Sequence, residues 1–79
     1  MSQFNARKFL QDRNWRRFKE CGSCGGGTKV EYNKPSLAGY EVTIIIKREK
    51  TDFYVTKYGQ LQTKGIASEE TLTEALQGL

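Results

Sequence analysis

Residues 40–48 constrain this chain more than any other stretch, because they alternate as only a half-buried strand does. Tyr40, Val42, Ile44 and Ile46 fall on one side, with Glu41, Thr43, Ile45 and Lys47 on the other. Four large apolar side chains on one face must be covered. A chain of 79 residues has room for a single core to cover them, so residues 1–79 are expected to form one small domain. The flanking segments supply partners for this strand. Residues 28–33 place Val30 and Tyr32 opposite Lys29 and Glu31, and residues 52–57 place Phe53 and Val55 on one face. Gly59 marks a tight turn, after which residues 60–66 return with Leu61 and Thr63 alternating. Pro35 and Gly39 bracket a turn, and residues 48–51 form a polar reversal. The expectation for residues 28–66 is an antiparallel meander of three or four strands.

Helical periodicity brackets the meander. Residues 1–20 are predicted as a basic helix: at about 100° per residue, Phe4, Trp15 and Phe18 gather into one stripe flanked by Leu10 and Cys21. Lys8, Arg13, Arg16, Arg17 and Lys19 occupy the opposite face, where Phe9 also falls and needs other packing. Ser2 is a candidate N-cap. Residues 21–27, rich in glycine, stop this helix and form a loop. Residues 68–78 form a second, short helix. Ser68 caps it, Glu69 and Glu70 suit the positive end of its dipole, and Gly78 suits a left-handed exit. Leu72, Ala75, Leu76 and Leu79 form its buried stripe. The fold class is therefore α+β: an N-terminal helix, a three- to four-stranded antiparallel meander and a short C-terminal helix.

Charge narrows the partners. Residues 1–20 carry six cations against Asp12 and Glu20, whereas residues 68–79 carry Glu69, Glu70 and Glu74 with no cation. Such asymmetry suits an anionic partner at the N-terminal end, and equally suits attraction between the chain's own ends. No apolar run approaches the ~20 residues that span a bilayer, and residues 1–19 lack the apolar core of a signal peptide. The expected location is the cytoplasm, with no membrane partner.

Catalysis finds little support. Histidine is absent, which removes the commonest general base, and the triple glycine at 25–27 is followed by neither the Lys-Ser/Thr nor the helix of a phosphate-binding loop. The chain is read as a non-enzyme. Cys21-x-x-Cys24 is the most specific motif, and four readings of it stand. Two inert apolar residues are one, and a short-loop disulfide is another. A redox pair is disfavoured where the motif closes a helix, because the dipole there raises the thiol pKa. A structural zinc held by Cys21 and Cys24 needs two further ligands, so it requires a second chain. Cys21, Cys24 and Gly26 resemble one C-x-x-C-x-G repeat of the zinc-binding region of DnaJ-type chaperones. The partner repeats have no counterpart here, and the resemblance implies no function.

Two surfaces remain as candidate sites. Residues 14–19 interleave Trp15 and Phe18 with Arg16, Arg17 and Lys19, a composition that holds phosphates and stacks bases when the rings are exposed. On a helix the rings would instead turn inward and leave a solvated basic face. Ile45, Tyr54 and Tyr58 on the second face of the meander form a possible protein-contact patch unless the N-terminal helix covers them. Two functions follow as expectations. The first is a non-catalytic module that engages an anionic partner, nucleic acid or an acidic protein surface, through Lys8, Arg13, Arg16, Arg17 and Lys19. The second is a dimeric adaptor or regulatory accessory protein, with Ile45, Tyr54 and Tyr58 in contact and a zinc shared between CxxC motifs.

Overall fold

A computed structural model describes residues 4–24 and 26–79, with the side chain of Cys24 left aside. The order of elements is α1 (Ala6–Asp12), β1 (Arg16–Cys24), β2 (Gly27–Asn33), β3 (Tyr40–Ile46), β4 (Thr51–Lys57), β5 (Gln60–Ile66) and α2 (Glu69–Ala75). The class is α+β, as expected, but the sheet has five strands in the order β1-β2-β3-β4-β5, every neighbour antiparallel. The additional strand, β1, lies where the helix of residues 1–20 and the loop of residues 21–27 were expected.

The helix ends early for local reasons. Asn5, not Ser2, supplies the cap, its side chain accepting from the Lys8 amide at 3.1 Å; Ser2 lies outside the described residues. Ala6, Phe9 and Leu10 form a short buried stripe at helical spacing. Asn14 then adopts φ 67°, a left-handed conformation that asparagine tolerates better than most residues, and the chain reverses. The Trp15 amide closes the reversal on the Leu10 carbonyl at 2.9 Å. Phe9, which the longer helix would strand on its charged face, is only 7% exposed. Trp15 is buried, but Phe18 is 48% exposed, so the proposed Phe4–Trp15–Phe18 stripe does not form.

The inner side of the sheet carries the core. Val30 and Tyr32 of β2, Val42 and Ile44 of β3, and Phe53 and Val55 of β4 pack with Phe9 and Leu10 of α1 and with Leu72 and Leu76 of α2. Both helices thus cover the same face. The C-terminal helix follows its sequence signals: Ser68 caps it reciprocally with Thr71, Leu72 and Leu76 are buried, and Gly78 has φ 84°.

Candidate nucleic-acid interface

Among the described residues no helix lies over the outer face of the sheet, and strand register lays its side chains out in three cross-strand rows. One row runs Arg16–Asn33–Glu41–Thr56–Leu61, the next Lys19–Glu31–Thr43–Tyr54–Lys64, and the third Cys21–Lys29–Ile45–Asp52–Ile66. Lys19 and Lys64 close the two ends of the middle row, four strand spacings or about 19 Å apart. Thr43 at its centre is 2% exposed, flanked on either side by Glu31 and Tyr54. A depression of about 420 Å³ opens beside Tyr54, lined by Ile45, Phe53, Gly65 and Ile66 with Asp52 and Lys64.

Two of the acids on this face are already matched. Glu31 lies 3.9 Å from the ammonium groups of both Lys19 and Lys29, and Asp52 lies 3.5 Å from Lys47 and 4.0 Å from Lys50. Glu31 and Asp52 therefore have two cations each, and cations outnumber acids on this face. Arg16, Lys19, Lys29, Lys47, Lys50 and Lys64 on this side oppose only Glu31, Glu41 and Asp52. The helix-covered side is close to balanced. There Arg7, Lys8, Arg13, Arg17, Lys34 and Lys57 meet Asp12, Glu20, Glu69, Glu70 and Glu74. Arg48 and Glu49 cancel each other in the turn between β3 and β4. Most of the net +4 thus lies on the open face.

The five cations expected to share one helical face do not share it. Lys8 alone belongs to α1, and it lines a cleft with Asp12 and Glu69. Arg13 caps α1 at its C-terminal end, donating to the Phe9 carbonyl at 3.3 Å with its guanidinium 3.6 Å above the Phe9 ring. It also borders the acids Glu69, Glu70 and Glu74 of α2. Lys8 and Arg13 thus lie beside acids of the C-terminal helix, on the covered side. Arg16, Arg17 and Lys19 lie on β1. Arg17 pairs with Tyr32 on the inner side and sits 3.2 Å from Glu20, which also takes Arg7 at 2.6 Å. Only Arg16 and Lys19 reach the open face.

Phe18 was missed as an exposed residue. The ladder pairs Arg17 with Tyr32 and Lys19 with Glu31, so Phe18 is the extra residue of a β-bulge at the sheet edge. No single-sequence periodicity marks a bulge, although the alternation of cation and ring around Phe18 was visible. Ile45 and Tyr54, expected on the second face, are there and half-buried. Tyr58 is not with them: it occupies the turn between β4 and β5 with φ 51°, is 74% exposed, and donates its amide to the Gly39 carbonyl at 2.8 Å. A side chain at Gly39 would collide with the Tyr58 ring, so glycine at that position holds the ring in place.

The cysteine motif lies in β1, not in a loop after a helix, and the helix-dipole argument about its thiol pKa no longer applies. Cys21 is disulfide-bonded and faces outward in the third row. Among the described residues no group of three or more His, Cys, Asp or Glu is arranged to hold a metal ion. No described helix is long and apolar enough to cross a membrane. Comparison with protein-family models, with characterised proteins and with solved structures finds no match for this chain.

Proposed function

We propose that this protein is a non-catalytic nucleic-acid-binding module whose helix-free sheet face, with Arg16, Lys19, Lys29 and Lys64, holds the phosphate backbone. The observation that carries this reading is the segregation of charge: six cations against three anions on the open face, near balance on the covered one. Cations spread along a strand edge and across a face neutralise successive phosphates and release their counterions, which supplies affinity without reading sequence. The basic surface is thus a sheet face and its β1 edge, not the N-terminal helix that the sequence suggested.

The test is fluorescence anisotropy with a labelled oligonucleotide over a range of salt. With about three or four phosphate contacts on a single strand, log affinity falls against log salt with a slope of about −2 to −3. Arg16→Glu combined with Lys64→Glu reduces binding at least about tenfold at low salt, since two contacts become two repulsions. Lys8→Glu combined with Arg13→Glu on the covered side changes it much less. Equal losses from the two double variants would discard the reading.

A second reading is carried by one observation. Ile45, Tyr54 and Ile66 border an apolar depression on the open face, and Ile66 is 59% exposed. A second copy of the chain placed there gives the dimeric adaptor, and a zinc shared through Cys21 and Cys24 would belong to its reduced form, because a disulfide-bonded Cys21 offers no thiolate. Native mass spectrometry after reduction, without chelator, tests it: a dimer with one zinc supports the adaptor, and a metal-free monomer removes it.

A further inference from the structure

We infer that the nucleic acid held by the open face is single-stranded, with bases stacked on Phe18 and Tyr54; this rests on the reading of that face given above. Phosphate contacts alone do not distinguish one strand from two, so the argument comes from what lies among the cations. Phe18 stands outside the β1–β2 ladder in a bulge between Arg17 and Lys19, and its side chain is 48% exposed. Tyr54 sits in the middle row between Thr43 and Lys64, next to the apolar depression of about 420 Å³. An exposed ring thus stands at the β1 edge next to Lys19, and a second ring lies within the open face next to Lys64. That is the combination that binds unpaired strands, because every base has a face that can stack on a ring while lysines follow its backbone.

Geometry disfavours a duplex. A paired helix hides its base faces, and reading its edges requires an element that enters a groove. The open face offers only the side chains of a sheet, with no helix or long loop projecting from it among the described residues. The depression beside Tyr54 is lined mainly by Ile45, Phe53 and Ile66, with Asp52 and Lys64 at its border, so its apolar floor suits the flat surface of a base.

The experiment compares four labelled probes on the full chain: oligo(dT) and oligo(U) of about 15 nucleotides, a DNA duplex of that length and an RNA duplex. Both single strands, or one of them, bind at least about tenfold tighter than the duplex of the same sugar. Phe18→Ala, an exposed position whose loss leaves the core intact, weakens the single strand about fivefold to a hundredfold and leaves the duplex unchanged. Tyr54→Leu, which keeps an apolar side chain in the sheet, repeats this effect with folding checked by circular dichroism. A difference between oligo(dT) and oligo(U) identifies the sugar. Equal affinity for strands and duplexes, with both aromatic variants neutral and the Arg16/Lys64 reversal still damaging, overturns this inference and leaves the nucleic-acid reading standing. No binding of any probe at low salt overturns both.

Discussion

The two faces of the same sheet differ sharply in composition and cover. On the inner face the rows read Arg17–Tyr32–Val42–Val55–Thr63 and Glu20–Val30–Ile44–Phe53–Gly65, apolar in the middle strands and polar or small at both edges. Two short helices cover that apolar centre. On the outer face no described helix covers the sheet; Lys19 and Lys64 end the row that holds Thr43 and Tyr54, and Lys29 stands next to Ile45 in the neighbouring row. Burial of the inner face drives folding. The outer face buries less apolar area and contributes correspondingly less.

That contrast can be broken most sharply by substitutions at neighbouring positions. Trp15→Ala, on the covered side at 2% exposure, costs about 3–5 kcal/mol, whereas Phe18→Ala, three residues on, changes stability by no more than about 0.5 kcal/mol. Ile44→Ala costs about 2–5 kcal/mol and Ile45→Ala under about 1.5 kcal/mol, because adjacent residues of β3 face opposite sides. Urea unfolding measures all four. Equal losses at Ile44 and Ile45 would mean that the outer face is buried in solution.

A smaller effect belongs to the cap that holds α2 over the core. Ser68 accepts from the Thr71 amide at 3.2 Å, and the Thr71 hydroxyl takes the Ser68 amide at 2.9 Å. Ser68→Ala lowers stability by about 1 kcal/mol in the same assay. A neutral result would show that packing of Leu72 and Leu76 fixes the helix without its cap.

The smallest effect comes from the polar rim of the inner face. The Tyr32 hydroxyl is buried without a hydrogen-bond partner among the described residues, and burial pushes its pKa up from 10.0. Arg7 and Arg17 pull that pKa down, and Glu20 adds to the rise. The folded chain therefore favours the neutral phenol over the unfolded chain. This contribution is complete below about pH 10, where the unfolded phenol ionises, and is lost as pH climbs from there through the higher folded value. Tyr32→Phe leaves neutral-pH stability unchanged or raises it by up to about 1 kcal/mol, and it flattens the alkaline decline. A clear loss of stability at pH 7 would show that the hydroxyl has a partner in solution.

Much of the fold was legible because burial is periodic. Val30, Tyr32, Val42, Ile44, Phe53 and Val55 all lie on the expected inner face, and Ser68, Leu72, Leu76 and Gly78 act as read. β1 was hidden because an edge strand does not need an apolar side. Its inward positions are Arg17 and Glu20, which join Arg7 in an ion-pair cluster at the rim, so the period-2 signal is absent. Trp15 and Phe18, three apart, then mimicked a helical stripe across a chain reversal at Asn14. The bulges disguised further positions: Leu61 and Thr63 alternate in sequence, yet the bulge in β5 places them on opposite faces. For the candidate site, the residue types were visible and their grouping was not. Charge excess was read from residues 1–20, of which only Arg16 and Lys19 reach the open face; Lys29 and Lys64, distant in sequence, join that face only through strand register.

The most direct measurement of the central claim is an amide NMR titration of the folded protein with oligo(dT) at low salt. Shifts are expected to concentrate at Arg16, Phe18, Lys19, Tyr54 and Lys64, with Leu72, Glu74 and the rest of α2 unmoved. Shifts centred on α1 and α2, or a spectrum unchanged at saturating oligonucleotide, would contradict it.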